Sequence, residues 1–280
     1  MIRKTDLSGT SRGYKVFAVI VLILLAIFFI FPVYWIVTGS FKDAATINSR
    51  TAQWFPLNPT LENYVKLFNQ PAFRWLANIV IISAAAMILT CITASLAGYA
   101  LAKKRFIGRK VLFTLIICAM ALPKQVIVIP LLQEMKALGL ANTLLAVILP
   151  TVGWPFGVFL MKQFSETIPG EILEAARVDG AGEVRTFTTI VFPMIKPGVG
   201  ALAIFTFVTA WNDYFLQLVM LTSRDNLTLP LGIARLQSEM ASDFGLIMAG
   251  AALAAIPIIT IFIIFQKYFT QGIAMGAVKG

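Results

Sequence analysis

The sequence predicts an all-α membrane protein with six transmembrane helices, and three observations carry that prediction. Charged residues make up 13% of the 280 positions, against roughly 25% in a soluble domain. Hydrophobic residues make up 59%, and the mean hydropathy is +0.84. The apolar residues gather into runs too long for core helices: 16–41, 76–102, 137–161 and 244–266 contain no charge at all. Crossing a bilayer takes about 20 apolar residues rising about 1.5 Å each, so each of these runs suffices.

Two further runs complete the set, 111–133 interrupted only by Lys124 and 197–223 only by Asp213. Backbone groups in lipid must be satisfied within the segment, so six separated runs imply six helices. The first span covers residues 16–38. It is too long for a signal peptide and has no small-residue cleavage site behind it. A polar external stretch follows, 41–71, with turn signals at Pro56-Leu57-Asn58-Pro59 and a short amphipathic piece at 61–68. The second span runs inward to the basic cluster at 103–110. The third runs outward and is expected to break at Pro123 and Pro130, which neighbouring helices or cavity water make tolerable.

A turn near Gly139 leads into the fourth span. The longest cytoplasmic segment, 162–196, separates it from the fifth. A second external loop, 223–243, precedes the sixth span, which opens on the small-residue patch 248–252, suited to close helix packing. The expected organisation is one domain over 1–280, without internal repeats.

Orientation follows from the basic residues. With the N-terminus inside, fifteen of the 23 lie in the four cytoplasmic segments: Arg3, Lys4, Arg12, Lys15, Lys103, Lys104, Arg105, Arg109, Lys110, Lys162, Arg177, Arg185, Lys196, Lys267 and Lys279. The acidic residues show no such bias, as expected when basic residues set topology, and both termini are cytoplasmic. The formal charge of +10 is therefore a topology signal rather than a nucleic-acid footprint. Cys91 and Cys118 fall inside spans and read as small packing residues. There is no histidine, so zinc and haem chemistry lack ligands. No Gly-x4-Gly-Lys-Ser/Thr loop is present to cradle a nucleotide.

The 162–196 loop carries the functional signal. Pro169 stands as a helix-opening proline, with Glu171 and Glu174 in the first turns where the dipole favours acids. Ala175 and Ala176 continue that helix, and Gly180 sits at the C′ position that ends one. A second helix is expected over 183–192, stopping at Pro193. An interfacial amphipathic helix would instead carry lysines on its polar face, and Glu171, Glu174 and Asp179 do not suit an anionic headgroup surface.

Glu174-Ala175-Ala176, three residues, Gly180, nine residues, Ile190, one residue, Phe192-Pro193 resembles the EAA loop of ABC importer permeases, with Phe192 in place of leucine as the one departure. Ala210-Trp211-Asn212-Asp213-Tyr214, the C-terminal Gly276-Ala277-Val278-Lys279-Gly280 and the stretch 138–143 resemble the carbohydrate-importer permeases of the maltose (MalG-like) type.

The resemblance implies a type I ABC importer permease fold in a bacterial cytoplasmic (inner) membrane, importing a sugar or oligosaccharide by alternating access. It implies a coupling loop, centred on Glu171, Glu174, Ala175, Ala176, Asp179 and Gly180, that docks on an ATPase, and a tail, 276–280, that reaches the ATPase dimer. The partners implied are a second homologous permease, two copies of an ABC ATPase and an extracytoplasmic sugar-binding protein. ATP and Mg would sit on the ATPase, with no cofactor on this chain and no catalytic residue.

Two intramembrane charges complete the candidate set. Lys124 lies 13 residues up the third run and Asp213 15 residues up the fifth, about 20 and 22 Å at the helical rise. Both thus sit in the outer half of a core about 30 Å thick. They could pair or line a wet vestibule; alternatively Lys124 snorkels and Asn212 and Asp213 break their helix locally. Trp211 could stack on a sugar face or simply pack. An ion-gradient-driven secondary transporter is the alternative reading, with Lys124 and Asp213 as its only ion-site candidates and no use for the Glu174 loop. A membrane enzyme lacks facing carboxylates or a cysteine pair.

Overall fold

The computed structural model describes residues 12–239 and 243–277, with side chains for 13–239 and 243–266. Every long element among the described residues is helical. Among the described residues, five helices are long and apolar enough to cross a membrane, and a bent pair brings the number to six when counted as one span. Contacts divide the chain into two compact units, one of residues up to Gln70 with Leu236–Leu253, the other of Pro71–Arg235 with the remainder.

In the first unit, α1 (Arg12–Ser40) is a 29-residue rod whose membrane window is entirely unburied, with Phe28 and Phe29 each 70% exposed. An apolar surface of that kind is a lipid-facing one. Beyond it, α2 (Ala44–Ile47) is capped by Asp43, whose carboxylate accepts from the Thr46 N–H at 2.6 Å. That hydrogen bond holds the Asp43 carboxyl below its ordinary value. Asn63, in α3 (Glu62–Phe68), donates to the carbonyls of Ser40 and Lys42 at 2.9 and 2.7 Å. In the small-residue patch Ala249 is fully buried, and the Met248 side chain lies against Gly39.

The second unit is organised around α4 (Ala72–Lys103), 32 residues with a nearly continuous buried stripe from Trp75 to Leu101. Packed on it are α7 (Leu145–Val152), α8 (Phe156–Glu166) and α11 (Phe192–Asn212). It meets the α8 backbone at Gly98, where a Cβ would lie 2.6 Å from Met161 and Lys162, so only glycine fits.

Four sequence expectations are corrected here. The third run is two helices, α5 (Arg109–Met120) and α6 (Lys124–Ala137), meeting at 107°. The break is at Pro123, whose extended backbone starts α6, and Pro130 sits inside α6 without breaking it. The proline ring at 123 drives the preceding residue away from helical geometry just where α5 has already ended in a turn at Ala121 and Leu122.

The turn expected near Gly139 is present, but the fourth span behind it is split. Residues 138–143 are a turn, with Gly139 at φ 70° and Asn142 at φ 58°, and α7 and α8 are separated at Gly153–Pro155.

Pro193 does not stop the return helix. α10 (Glu183–Thr186) passes through a π turn, Phe187–Val191, directly into α11. The wider turn relieves the clash of the proline ring with the carbonyl four residues back. Thr189 donates its hydroxyl to the Arg185 carbonyl at 2.6 Å and Thr188 to that of Val184 at 2.9 Å, occupying acceptors within the distorted ladder.

The fifth span ends α11 at Asn212 and resumes as α12 (Tyr214–Met220). Buried Gln217 bridges the break, donating to the Ala210 carbonyl at 2.8 Å and accepting from Thr228 at 2.6 Å. Downstream are α13 (Leu229–Glu239) and α14 (Phe244–Ala277).

The outer ends of the second unit are tied by polar side chains. Asn142 Oδ1 accepts from the N–H groups of Thr222 and Ser223 at 2.9 and 3.0 Å, and Asn226 donates to its carbonyl at 2.6 Å. Trp75 donates to the Arg224 carbonyl at 2.7 Å, and Asn78 to those of Asp225 and Leu227 at 2.9 and 2.8 Å.

Candidate functional site

The cytoplasmic loop is a short helix on a stiff turn. α9 (Gly170–Val178) follows Pro169, whose φ of −61° suits a helix start. It ends in a Schellman motif: the Gly180 N–H bonds to the Arg177 carbonyl at 3.0 Å and the Ala181 N–H to that of Ala176 at 2.9 Å, with Gly180 at φ 75°. The C′ role expected of Gly180 is the one it fills.

Leu173 and Ala176 form the buried face of α9, and Ile168 and Leu173 join Tyr99, Met161, Val191 and Ile195 in one apolar cluster. The opposite face carries Glu171, Glu174, Ala175 and Asp179, all exposed. The two alanines of the motif therefore part company, Ala175 outward and Ala176 inward. Sequence reasoning did not find Val178 and Val184, which are 87% and 78% exposed on either side of the Gly180 turn. Helical phase from Leu173 and Ala176 was the available signal for Val178.

The intramembrane charges meet. Lys124, the first residue of α6, places Nζ 3.1 Å from Asp213 Oδ2, with side-chain exposures of 33% and 13%. Asp213 does two jobs: its other oxygen accepts from the Leu216 N–H at 3.3 Å, capping α12 across the helix break. Pairing and local breaking, set out as alternatives from the sequence, coexist. Lys124 also lies 4.9 Å from the ring centroid of Trp154. All three residues line a cavity of about 430 Å³ in the elbow of the bent span, walled mainly by apolar side chains such as Val128, Leu131 and Phe215.

Trp211 and Asn212 do not line this cavity. Trp211 is 3% exposed and stacked on Phe207 at 5.6 Å, a packing role; Asn212 is exposed and donates to the Val208 carbonyl at 2.9 Å. The aromatic at the charge pair is Trp154, whose signal was its place between Gly153 and Pro155 within an otherwise apolar run. Of the C-terminal tail, Gly276 and Ala277 end α14, while Val278, Lys279 and Gly280 lie outside the described residues.

The sequence pattern of the family described as "binding-protein-dependent transport system inner membrane component" matches residues 94–275, the 162–196 loop and the last four spans included. The chain belongs to that family. Permeases of this family are non-catalytic subunits of ABC transporters, and the chain is a multi-pass membrane permease subunit of this kind.

AraQ of Halalkalibacterium halodurans, an arabinooligosaccharides transport system permease protein, is 35% identical over 260 residues, 91% of this chain and 93% of its own. MelC of Bacillus subtilis, a melibiose/raffinose/stachyose import permease protein, is 33% identical over 278 residues, covering 98% and 99%. Among solved structures, a bacterial ABC transporter involved in the import of the acidic polysaccharide alginate superposes with a TM-score of 0.80 at 23% identity, over 93% of this chain and 99% of that one. The fold is therefore that of a type I ABC importer permease, and the secondary-transporter reading is set aside.

Proposed function

We propose that the chain is the six-span permease half of a bacterial ATP-driven importer of a sugar or oligosaccharide, working by alternating access in the inner membrane. The observation that carries the proposal is the exposed α9 face, Glu171, Glu174, Ala175, Val178 and Asp179, held outward by the Gly180 turn on the cytoplasmic side. Carboxylates on a rigid helix suit arginine on a docking partner, and exposed Val178 and Val184 supply the apolar contact such an interface needs. The sugar class is supported by the relatives AraQ and MelC, permease proteins for arabinooligosaccharides and for melibiose, raffinose and stachyose.

In this reading two ATPase subunits hold ATP and Mg²⁺, a second permease completes the pathway and an extracytoplasmic binding protein delivers the sugar. ATPase closure pushes on α9, and the helices of the second unit rock. Lys124, Asp213 and Trp154 face the pathway in the elbow cavity, where a polar pair beside an aromatic face suits a hydroxyl-rich ligand. Contact between the tail, residues 276–280, and the ATPase dimer belongs to the same reading.

The experiment is affinity purification of the tagged chain from its native membrane, followed by reconstitution. An ATP-hydrolysing subunit co-purifies, and hydrolysis rises with binding protein plus one of a panel of arabinotriose, raffinose and maltose. Absence of any ATPase subunit from the purified complex contradicts the proposal.

A further inference from the structure

The five basic residues of the inner loop, Lys103, Lys104, Arg105, Arg109 and Lys110, are explained equally by topology, yet they do not behave alike. Lys103 Nζ donates to the carbonyls of Glu166 and Ile168, at 3.1 and 2.6 Å. The Glu166 carbonyl ends α8, where acceptors have no further helical turn to bond and the dipole is negative, and that of Ile168 lies two residues beyond. Lys104 pairs instead with Glu183, the first residue of α10, where a carboxylate complements the positive helix end. The side chains of Arg105 and Lys110 form no ion pair or hydrogen bond among the described residues.

The two lysines thus take hold of the coupling loop at both of its roots. Lys103 grips the end of the helix that enters it and Lys104 the start of the helix that leaves it. Between those roots lie residues 169–182, α9 and its Gly180 turn.

Three further contacts stiffen the grip. Lys104 Nζ lies 5.2 Å from the centroid of the Tyr99 ring. Tyr99 in turn packs at 5.7 Å on Phe187, one turn further along the return helix. One turn before Lys103 and Lys104, Gly98 brings α4 into backbone contact with α8 at Met161 and Lys162. Little slack remains between the second span and the base of the loop.

We propose that Lys103 and Lys104 are positioning residues that clamp the base of the coupling loop to the second span, so that a push on α9 moves α4 rather than bending the loop. Their role in coupling rests on the function proposed above, whereas the clamp itself does not. The test has two arms. The first is amide hydrogen exchange of residues 169–182 in the full chain in lipid nanodiscs. Loss of one charged hydrogen-bonding group, in Lys103→Met or Lys104→Met, speeds exchange there about tenfold, and exchange within 76–95 does not change.

Lys103→Arg, which keeps the donors, restores slow exchange. Lys104→Met combined with Glu183→Gln is no faster than either change alone, as a shared interaction requires. Unchanged exchange in the methionine variants, or strict additivity of Lys104→Met and Glu183→Gln, overturns the clamp.

The second arm measures sugar imported per ATP hydrolysed in the reconstituted complex. The methionine variants keep the ATPase bound and lower that ratio about fivefold, and a normal ratio alongside a loosened loop overturns the coupling role. A wild-type chain that captures no ATPase contradicts the proposed function, and the exchange arm still decides the clamp.

Discussion

Lys124 Nζ and Asp213 Oδ2 stand 3.1 Å apart, joining the first residue of α6 to the break between α11 and α12. Two spans that both lose helical continuity are thus fastened at their discontinuities. An ion pair at an interrupted helix satisfies a charge and a freed backbone end together, since Asp213 also caps α12.

Breaking that pair is expected to be non-additive. Lys124→Met strands Asp213, and Asp213→Asn strands Lys124 while keeping an oxygen to cap α12. Each costs about 2 kcal/mol, an amount suited to a partly buried pair. The double variant recovers part of the loss. Transport rate at matched protein level is the readout, and strict additivity contradicts the pairing as a functional unit.

Asn142 is expected to be a stability residue. Asn142→Ala removes the acceptor for Thr222 and Ser223 and leaves an alanine at φ 58°. The lost hydrogen bonds cost about 2 kcal/mol and the left-handed backbone about 1 kcal/mol more. Asn142→Gly loses the bonds and escapes the strain. Apparent Tm in detergent should therefore fall further for alanine than for glycine, and equal values contradict the backbone argument.

How much of this was legible depends on range along the chain. The spans follow from composition and run length, which are local. Gly180 was legible because a Schellman turn needs glycine at C′ whatever surrounds it. The Lys124–Asp213 pair was half legible: depth along two helices brought the residues to one level, but facing directions depend on the 107° bend, which no local rule sets. Pro193 misled because a π turn and two threonine hydroxyls absorb it. Trp211 could stack on a sugar or pack, and only the three-dimensional neighbourhood, with Phe207 against its ring, shows the packing contact. Lys103 and Lys104 were hidden by a sufficient explanation, the topology bias, which any basic residue would satisfy.

Two glycines should separate packing from turn geometry. Gly98→Ala places a Cβ against the backbone of Met161 and Lys162, which cannot yield cheaply, so a loss of about 1–3 kcal/mol is expected. Gly170→Ala meets nothing within 4 Å at a helix start and is expected to be neutral or stabilising by up to about 1 kcal/mol. Thermal unfolding of both variants in the same detergent checks the contrast, and a tolerant Gly98 contradicts the close approach.

Gly180→Val meets no neighbour but must hold φ 75°, a strain of about 1–2 kcal/mol. It is expected to leave membrane insertion and the α4 packing intact while abolishing sugar-stimulated ATP hydrolysis in the reconstituted complex. Normal stimulation with the variant assembled contradicts the requirement for this turn.

In the proposed function the exposed face of α9 meets an ATP-hydrolysing partner, and photocross-linking from that face is the decisive measurement. A photoreactive residue replaces Glu174 in one variant, Val178 in a second and lipid-facing Phe28 in a third. Irradiation of native membranes is predicted to join the first two variants to an ATPase subunit and to leave the third free of it. Cross-links from Glu174 and Val178 to lipid alone, with no ATPase captured, would contradict the account.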